Sequence, residues 1–85
     1  MPSKIIAALP RTARNNINLY FRAAEESVKR RDRVYNVGRL RGYLSALRDV
    51  GFLTGVSYYR LMEHFNKQLG IEGNDNDVPK QEGKQ

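Results

Sequence analysis

No proline interrupts the chain between Ala13 and Leu69, and across that stretch large apolar residues recur every three or four positions. Such spacing is that of a helix with 3.6 residues per turn and one buried face, whereas a half-buried strand would alternate. Pro2, Pro10 and Pro79 all lie outside it. The chain is therefore expected to be all-α: a small three-helix bundle, or a helical hairpin with a third helix packed across it, followed by a disordered C-terminal tail. With 85 residues there is room for one domain. A chain this short buries only about 60% of its unfolded surface, so association with a partner chain is part of the expectation.

The division follows composition. Residues 1–10 form an N-terminal arm, in which Ser3 can cap a short helical turn ending at Leu9, and Ile5, Ile6 and Leu9 cover one end of the core or dock elsewhere. Residues 11–70 form the helical domain. Its first helix begins near Pro10 to Thr12, with Thr12 available as a cap, and buries Ala13, Ile17, Tyr20, Phe21, Ala24 and Val28. The second is expected to start at Asp32 or Asn36, to bury Val37, Leu40, Leu44 and Leu47, and to stop at Gly51, with Phe52 folding back on its end. The third, capped by Thr54 or Ser57, buries Tyr58, Leu61, Met62, Phe65 and Leu69 and ends at Gly70. Residues 71–85 are polar and carry four acidic and two basic side chains, a composition that cannot offset its ordering entropy.

Charge points to a class of partner. The chain has 15 Lys and Arg against 9 Asp and Glu, a formal net charge of +6, and ten of those cations are arginines. Positive charge is concentrated from Arg11 to Arg48, which suits phosphate contacts. The same residues also allow a plain salt-bridged surface, through Arg22 with Glu26, Glu26 with Arg30, and Glu25 with Lys29, each four apart. Lys29, Arg30 and Arg31 fall near the expected end of the first helix, where cations complement its carbonyl pole. On the second helix Arg41 and Arg48 share one flank of the leucine arc, with Arg33 nearby. Gly38, Gly42 and Ala46 make a stripe of small residues on another side; two glycines inside a helix cost about 1 kcal/mol each, so close approach of a helix, from this chain or from a second copy, is the expected compensation. Tyr35 and Tyr43 are candidates for stacking on bases or anchoring an interface, and Tyr35 lies farthest from the core arc. The hinge at 51–55 fits a helix-turn-helix poorly, because the helix that follows carries little net charge.

Several chemistries find no residues. There is no Cys for a disulfide, thiol or zinc site, and His64 is the single histidine. No glycine-rich phosphate loop follows a strand, and no carboxylate pair sits on an apolar face. No enzyme activity, cofactor or metal is expected. The longest apolar run, Ile5 to Leu9, is too short for a membrane span or a signal peptide, so a cytoplasmic protein is expected.

The run Tyr35-Asn36-Val37-Gly38-Arg39-Leu40-Arg41-Gly42-Tyr43-Leu44, followed by Gly51-Phe52-Leu53-Thr54-Gly55, resembles a pattern seen in small proteins of phages and plasmids. The resemblance implies an accessory protein of a mobile element, either a regulator or an inhibitor of a host nucleoprotein machine. Two functions follow from the residues. One is a non-catalytic, dimeric module that binds DNA or RNA through Arg30, Arg31, Arg33, Arg41 and Arg48 with Tyr35 or Tyr43. The other is a protein-binding adaptor or inhibitor that docks the same arginines on an acidic surface.

Overall fold

The computed structural model describes residues 2–71, which form four helices and, among the described residues, no strand. These are α1 (Pro2–Ala7), α2 (Arg11–Glu25), α3 (Arg30–Asp49) and α4 (Gly55–Gln68). The all-α expectation holds, in its hairpin form: α2 and α3 share the largest contact, α4 returns across α3, and α1 packs against α4. The tail expectation falls on 72–85, outside the described residues, but its boundary moves: Ile71 is buried in the core.

Each helix forms where its apolar spacing gives it one face to hide. Ala13, Ile17 and Ala24 of α2 meet Val37, Leu40, Leu44 and Leu47 of α3, and α4 adds Tyr58, Leu61, Met62 and Phe65. Ile17, Leu40, Leu44 and Leu61 are fully enclosed, each worth roughly 1.5–3 kcal/mol of transfer free energy. Leu9 is buried and Ile5 and Ile6 lean on the same cluster, so the arm covers one end of the core. Among the described residues no polar or charged side chain is fully buried, so the polar chemistry lies on the surface and along helix edges.

The helix ends explain where the chain turns. After α3, Gly51 adopts φ 91°, Phe52 N–H donates to Leu47 O at 2.8 Å and Gly51 N–H to Arg48 O at 3.1 Å. After α4, Gly70 at φ 70° does the same, with Ile71 N–H donating to Asn66 O at 2.8 Å. Both are Schellman closures, which need a left-handed residue that only glycine adopts cheaply. Thr54 caps α4 by accepting from Ser57 N–H at 3.0 Å.

Five details differ from expectation. Val28 is 95% exposed, because α2 ends at Glu25 and the chain has already turned. Neither Asp32 nor Asn36 caps α3; Lys29 occupies that position without a side-chain bond, and both acquire helical geometry inside α3. Thr12 gives no cap either, since Pro10 precedes the first turn of α2 and its carbonyl accepts from Arg14 N–H. Ser3 lies within α1, which begins at Pro2. Phe52 stays half in solvent at 56% exposure, and the next residue, Leu53, enters the core instead.

Glycines at opposite kinds of position should respond oppositely to alanine. Gly38 and Gly42 lie inside α3 with nothing within 4 Å of an added Cβ, so Gly38→Ala and Gly42→Ala should each raise stability by up to about 1 kcal/mol. Gly51→Ala should lower it by about 1 kcal/mol by forcing a side chain into the left-handed region. Thermal unfolding followed by circular dichroism reads both, at roughly 4–8 °C per kcal/mol for a domain of this size.

Candidate nucleic-acid interface

Helix α3 carries most of the candidate residues, and its surroundings sort them. Its leucine arc faces the core. On one flank, Arg48 lies over the Tyr58 ring of α4 at 4.5 Å and reaches Ser45 Oγ at 3.5 Å. Phe21 of α2 meets Phe65 of α4 with ring centroids 5.3 Å apart, closing that rim of the α2–α3 seam. The opposite rim is lined by Asn16 and Tyr20 of α2 and by Asn36, Arg39 and Tyr43 of α3. There Tyr20 and Tyr43 stand 5.5 Å apart, and Asn16 Nδ2 donates to the Tyr43 hydroxyl at 3.1 Å.

From this second rim a row runs out to the open face. Arg31, Tyr35, Arg39 and Tyr43 alternate cation and ring at four-residue intervals, so they form a line that winds slowly about α3. The Arg39 guanidinium lies 5.1 Å from the Tyr20 ring centroid and 6.0 Å from that of Tyr35, and donates to Asn36 Oδ1 at 3.5 Å. Tyr35, 67% exposed, ends the aromatic part of the row in solvent, as the sequence predicts. Arg39 and Tyr20 are the residues that sequence reasoning missed. The four-residue alternation of Arg31, Tyr35, Arg39 and Tyr43 was the available signal.

The remaining candidates divide into open and occupied. Arg31 and Arg41 are exposed and open; Arg30 is exposed as well but is engaged in an interaction of its own. Lys29, Arg30 and Arg31 sit not at the carbonyl end of α2 but at the N-terminal end of α3, so they add positive charge to the positive pole of a helix whose first turn holds only Asp32 in opposition. Two of the three expected i,i+4 pairs, Glu25 with Lys29 and Glu26 with Arg30, straddle the turn rather than sharing a helix face. Arg33 is structural: Nη2 donates to Ser27 O at 3.1 Å and Nη1 to Leu69 O at 3.2 Å, tying the α2–α3 turn to the end of α4. Of the expected trio, only Arg41 therefore presents its guanidinium outward, while Arg48 is folded on Tyr58.

The small-residue stripe is open. Gly38, Gly42 and Ala46 are exposed, and no atom of another element comes within 4 Å of a Cβ built on either glycine, so neither glycine serves close helix packing inside this chain. The intramolecular compensation expected for them is absent, and their cost falls on a low, smooth track beside the arginine–tyrosine row. His64 is half-buried with its ring edge-on to Phe65 at 5.4 Å. Among the described residues no group of three or more His, Cys, Asp or Glu side chains could hold a metal ion. No described helix is long and apolar enough to cross a membrane.

Occupied and open arginines should separate on substitution. Arg33→Leu removes both bonds and strands two carbonyls at the edge of the core, an expected loss of about 1–3 kcal/mol, whereas Arg41→Leu should stay within about 0.5 kcal/mol of the parent. Urea unfolding of the two variants checks this. Comparison of the chain with protein-family models, with curated proteins and with solved structures gives no match.

Proposed function

We propose that the protein is a non-catalytic nucleic-acid-binding module whose contact surface is the outward face of α3. One observation carries this reading. From Arg33 to Arg48 the chain holds four arginines and no acidic residue, and the outward part of that stretch places Arg39 and Arg41 on either side of an exposed glycine track. Arg31 continues the charge to the helix N-terminus, where phosphate is favoured both by the cations and by the positive pole of the helix. Arginines supply forked contacts to phosphate oxygens, and the glycines let a sugar–phosphate chain come close to the helix backbone. Arg33 and Arg48 support the surface from behind. Such binding rests on charge and is expected to weaken steeply with salt.

The test is the paired substitution Arg31→Glu with Arg41→Glu. Affinity for a labelled oligonucleotide, read by fluorescence anisotropy at about 50 mM salt, should fall by at least roughly tenfold, and the slope of log affinity on log salt should flatten by about 1.5–2. Melting temperature should be unchanged or slightly higher, since an acid replaces a cation at the positive end of α3. Unchanged affinity would rule this face out.

A second reading, a protein-binding adaptor or a homodimer, is favoured by a different surface. Val50, Phe52, Val56 and Tyr59, at 69, 56, 63 and 67% exposure, cluster in sequence around the α3–α4 corner, more apolar side chain than a single turn of a monomer normally shows to water. Replacing Phe52 and Val56 with Ser should abolish self-association or partner capture, measured by sedimentation, and leave oligonucleotide binding intact.

A further inference from the structure

We infer that the nucleic acid this face takes is single-stranded, with an unpaired base lying on the exposed Tyr35 ring between Arg31 and Arg39. The inference rests on the nucleic-acid reading above and names its substrate class.

Two features argue against duplex readout by α3. A helix that reads a major groove points long polar side chains at the base edges, where paired hydrogen bonds distinguish one base from another. The outward centre of α3 is Gly38, Gly42 and Ala46, which have no donor or acceptor to offer beyond the backbone. The flanking arginines contact phosphates in any form of nucleic acid and supply no sequence reading.

What the face does offer is flat π surface with a fixed cation beside it. Tyr20 and Tyr43 pack on each other at the rim, the Tyr43 hydroxyl is held by Asn16, and Arg39 rests on Tyr20 while also contacting Asn36. Arg39 is thereby ordered before any ligand arrives, which lowers the entropy cost of using it. The same Arg39 guanidinium lies over the Tyr35 ring, 6.0 Å from its centre, and Tyr35 is 67% exposed. Arg31 and Arg39 are each one turn from Tyr35, about 6 Å along the axis in either direction. A base stacked on Tyr35 would thus have a cation on each side for its two flanking phosphates. Stacking of this kind is open to unpaired bases alone, since paired bases have both faces covered in the duplex, and it tolerates any sequence because every base has a π face.

The experiment uses the full chain and three labelled probes: an oligodeoxyuridine and an oligouridine of about 15 nucleotides, near the upper site size of a single-strand-binding domain, and a blunt-ended two-strand duplex of matched charge. Each is titrated with the parent, Tyr35→Ala and Tyr35→Phe by fluorescence anisotropy. The parent is expected to bind one or both single strands at least tenfold tighter than the duplex, and the preferred strand names the sugar. Tyr35→Ala should weaken single-strand binding roughly tenfold and leave duplex binding unchanged, while Tyr35→Phe, which keeps the ring and loses only the hydroxyl, should bind like the parent. Equal affinity for duplex and single strand, or a Tyr35→Ala variant that loses nothing or loses both equally, overturns the inference and leaves the nucleic-acid reading standing. Failure of every probe to bind overturns that reading and the inference with it. Because Tyr35 projects into solvent, the alanine variant should melt within a few degrees of the parent, so a loss of binding reports the surface.

Discussion

The structure depends on how the turn between α2 and α3 is satisfied. Residues 26–29 contain no glycine or proline to close the end of α2, so the carbonyls left free at that turn must find partners elsewhere. They find them in side chains from the second turn of α3. Asn36 Nδ2 donates to Ser27 Oγ at 3.0 Å and approaches Ala23 O at 3.5 Å, Ser27 Oγ donates back to Ala23 O at 2.7 Å, and Arg33 holds Ser27 O. The register of the hairpin follows from this knot: Ala23 faces Asn36, Tyr20 faces Arg39, and Asn16 faces Tyr43. Because Arg33 also grips Leu69 O, the same residue fixes the end of α4 against the start of α3.

With that frame set, α3 is supported unequally. Its leucine arc and Arg48 are used by α2 and α4, which leaves to the surface its back, with Arg41 at one margin and Arg39 at the other. That open face carries choices that do nothing for stability within the chain: two helix-interior glycines with empty space around them. Departures from local preference with no compensating contact belong to sites selected for something other than folding. The arginine–tyrosine row shares that surface, which is why the functional reading rests on α3 and not on the comparably basic start of α2.

The core was legible because burial at three- and four-residue spacing is a local property of a helix. Val37, Leu40, Leu44 and Leu47 could be placed inward without knowing what they would meet, and Gly51 and Gly70 mark helix ends because a left-handed residue is a requirement of the closure itself. What escaped was decided by partners distant in sequence. Arg33 reads as one more surface cation until Leu69 arrives beside it, and Asn36 reads as a cap because its true partners, Ser27 and Ala23, sit across a turn that has no turn residues. The misplaced turn then carried Val28 into the core and put Lys29 to Arg31 at the wrong pole of the wrong helix. Arg39 was overlooked for a simpler reason. Grouping arginines by shared flank selects Arg41 and Arg48, whereas the alternation of cation with ring selects Arg31 and Arg39, and only the second grouping has a chemical consequence beyond charge.

The two unusual surfaces are also separated in a way that bears on how they could be used. The row from Arg31 to Tyr43 occupies the first two-thirds of α3, and the apolar corner begins at Val50, about 22 Å along the axis from Tyr35. Arg48 stands between them, with its charge turned onto the Tyr58 ring and away from the row. An apolar contact at the corner would therefore bury little of the basic face, and a strand lying on that face would leave the corner free. Two copies joined at their corners would then present two basic tracks on one assembly, and two weak charge-based sites held together act at a high effective concentration toward one long strand. Nucleic-acid binding and protein contact are thus compatible on this fold, and joining them is the simplest way for so small a basic surface to hold a polyanion firmly at physiological salt.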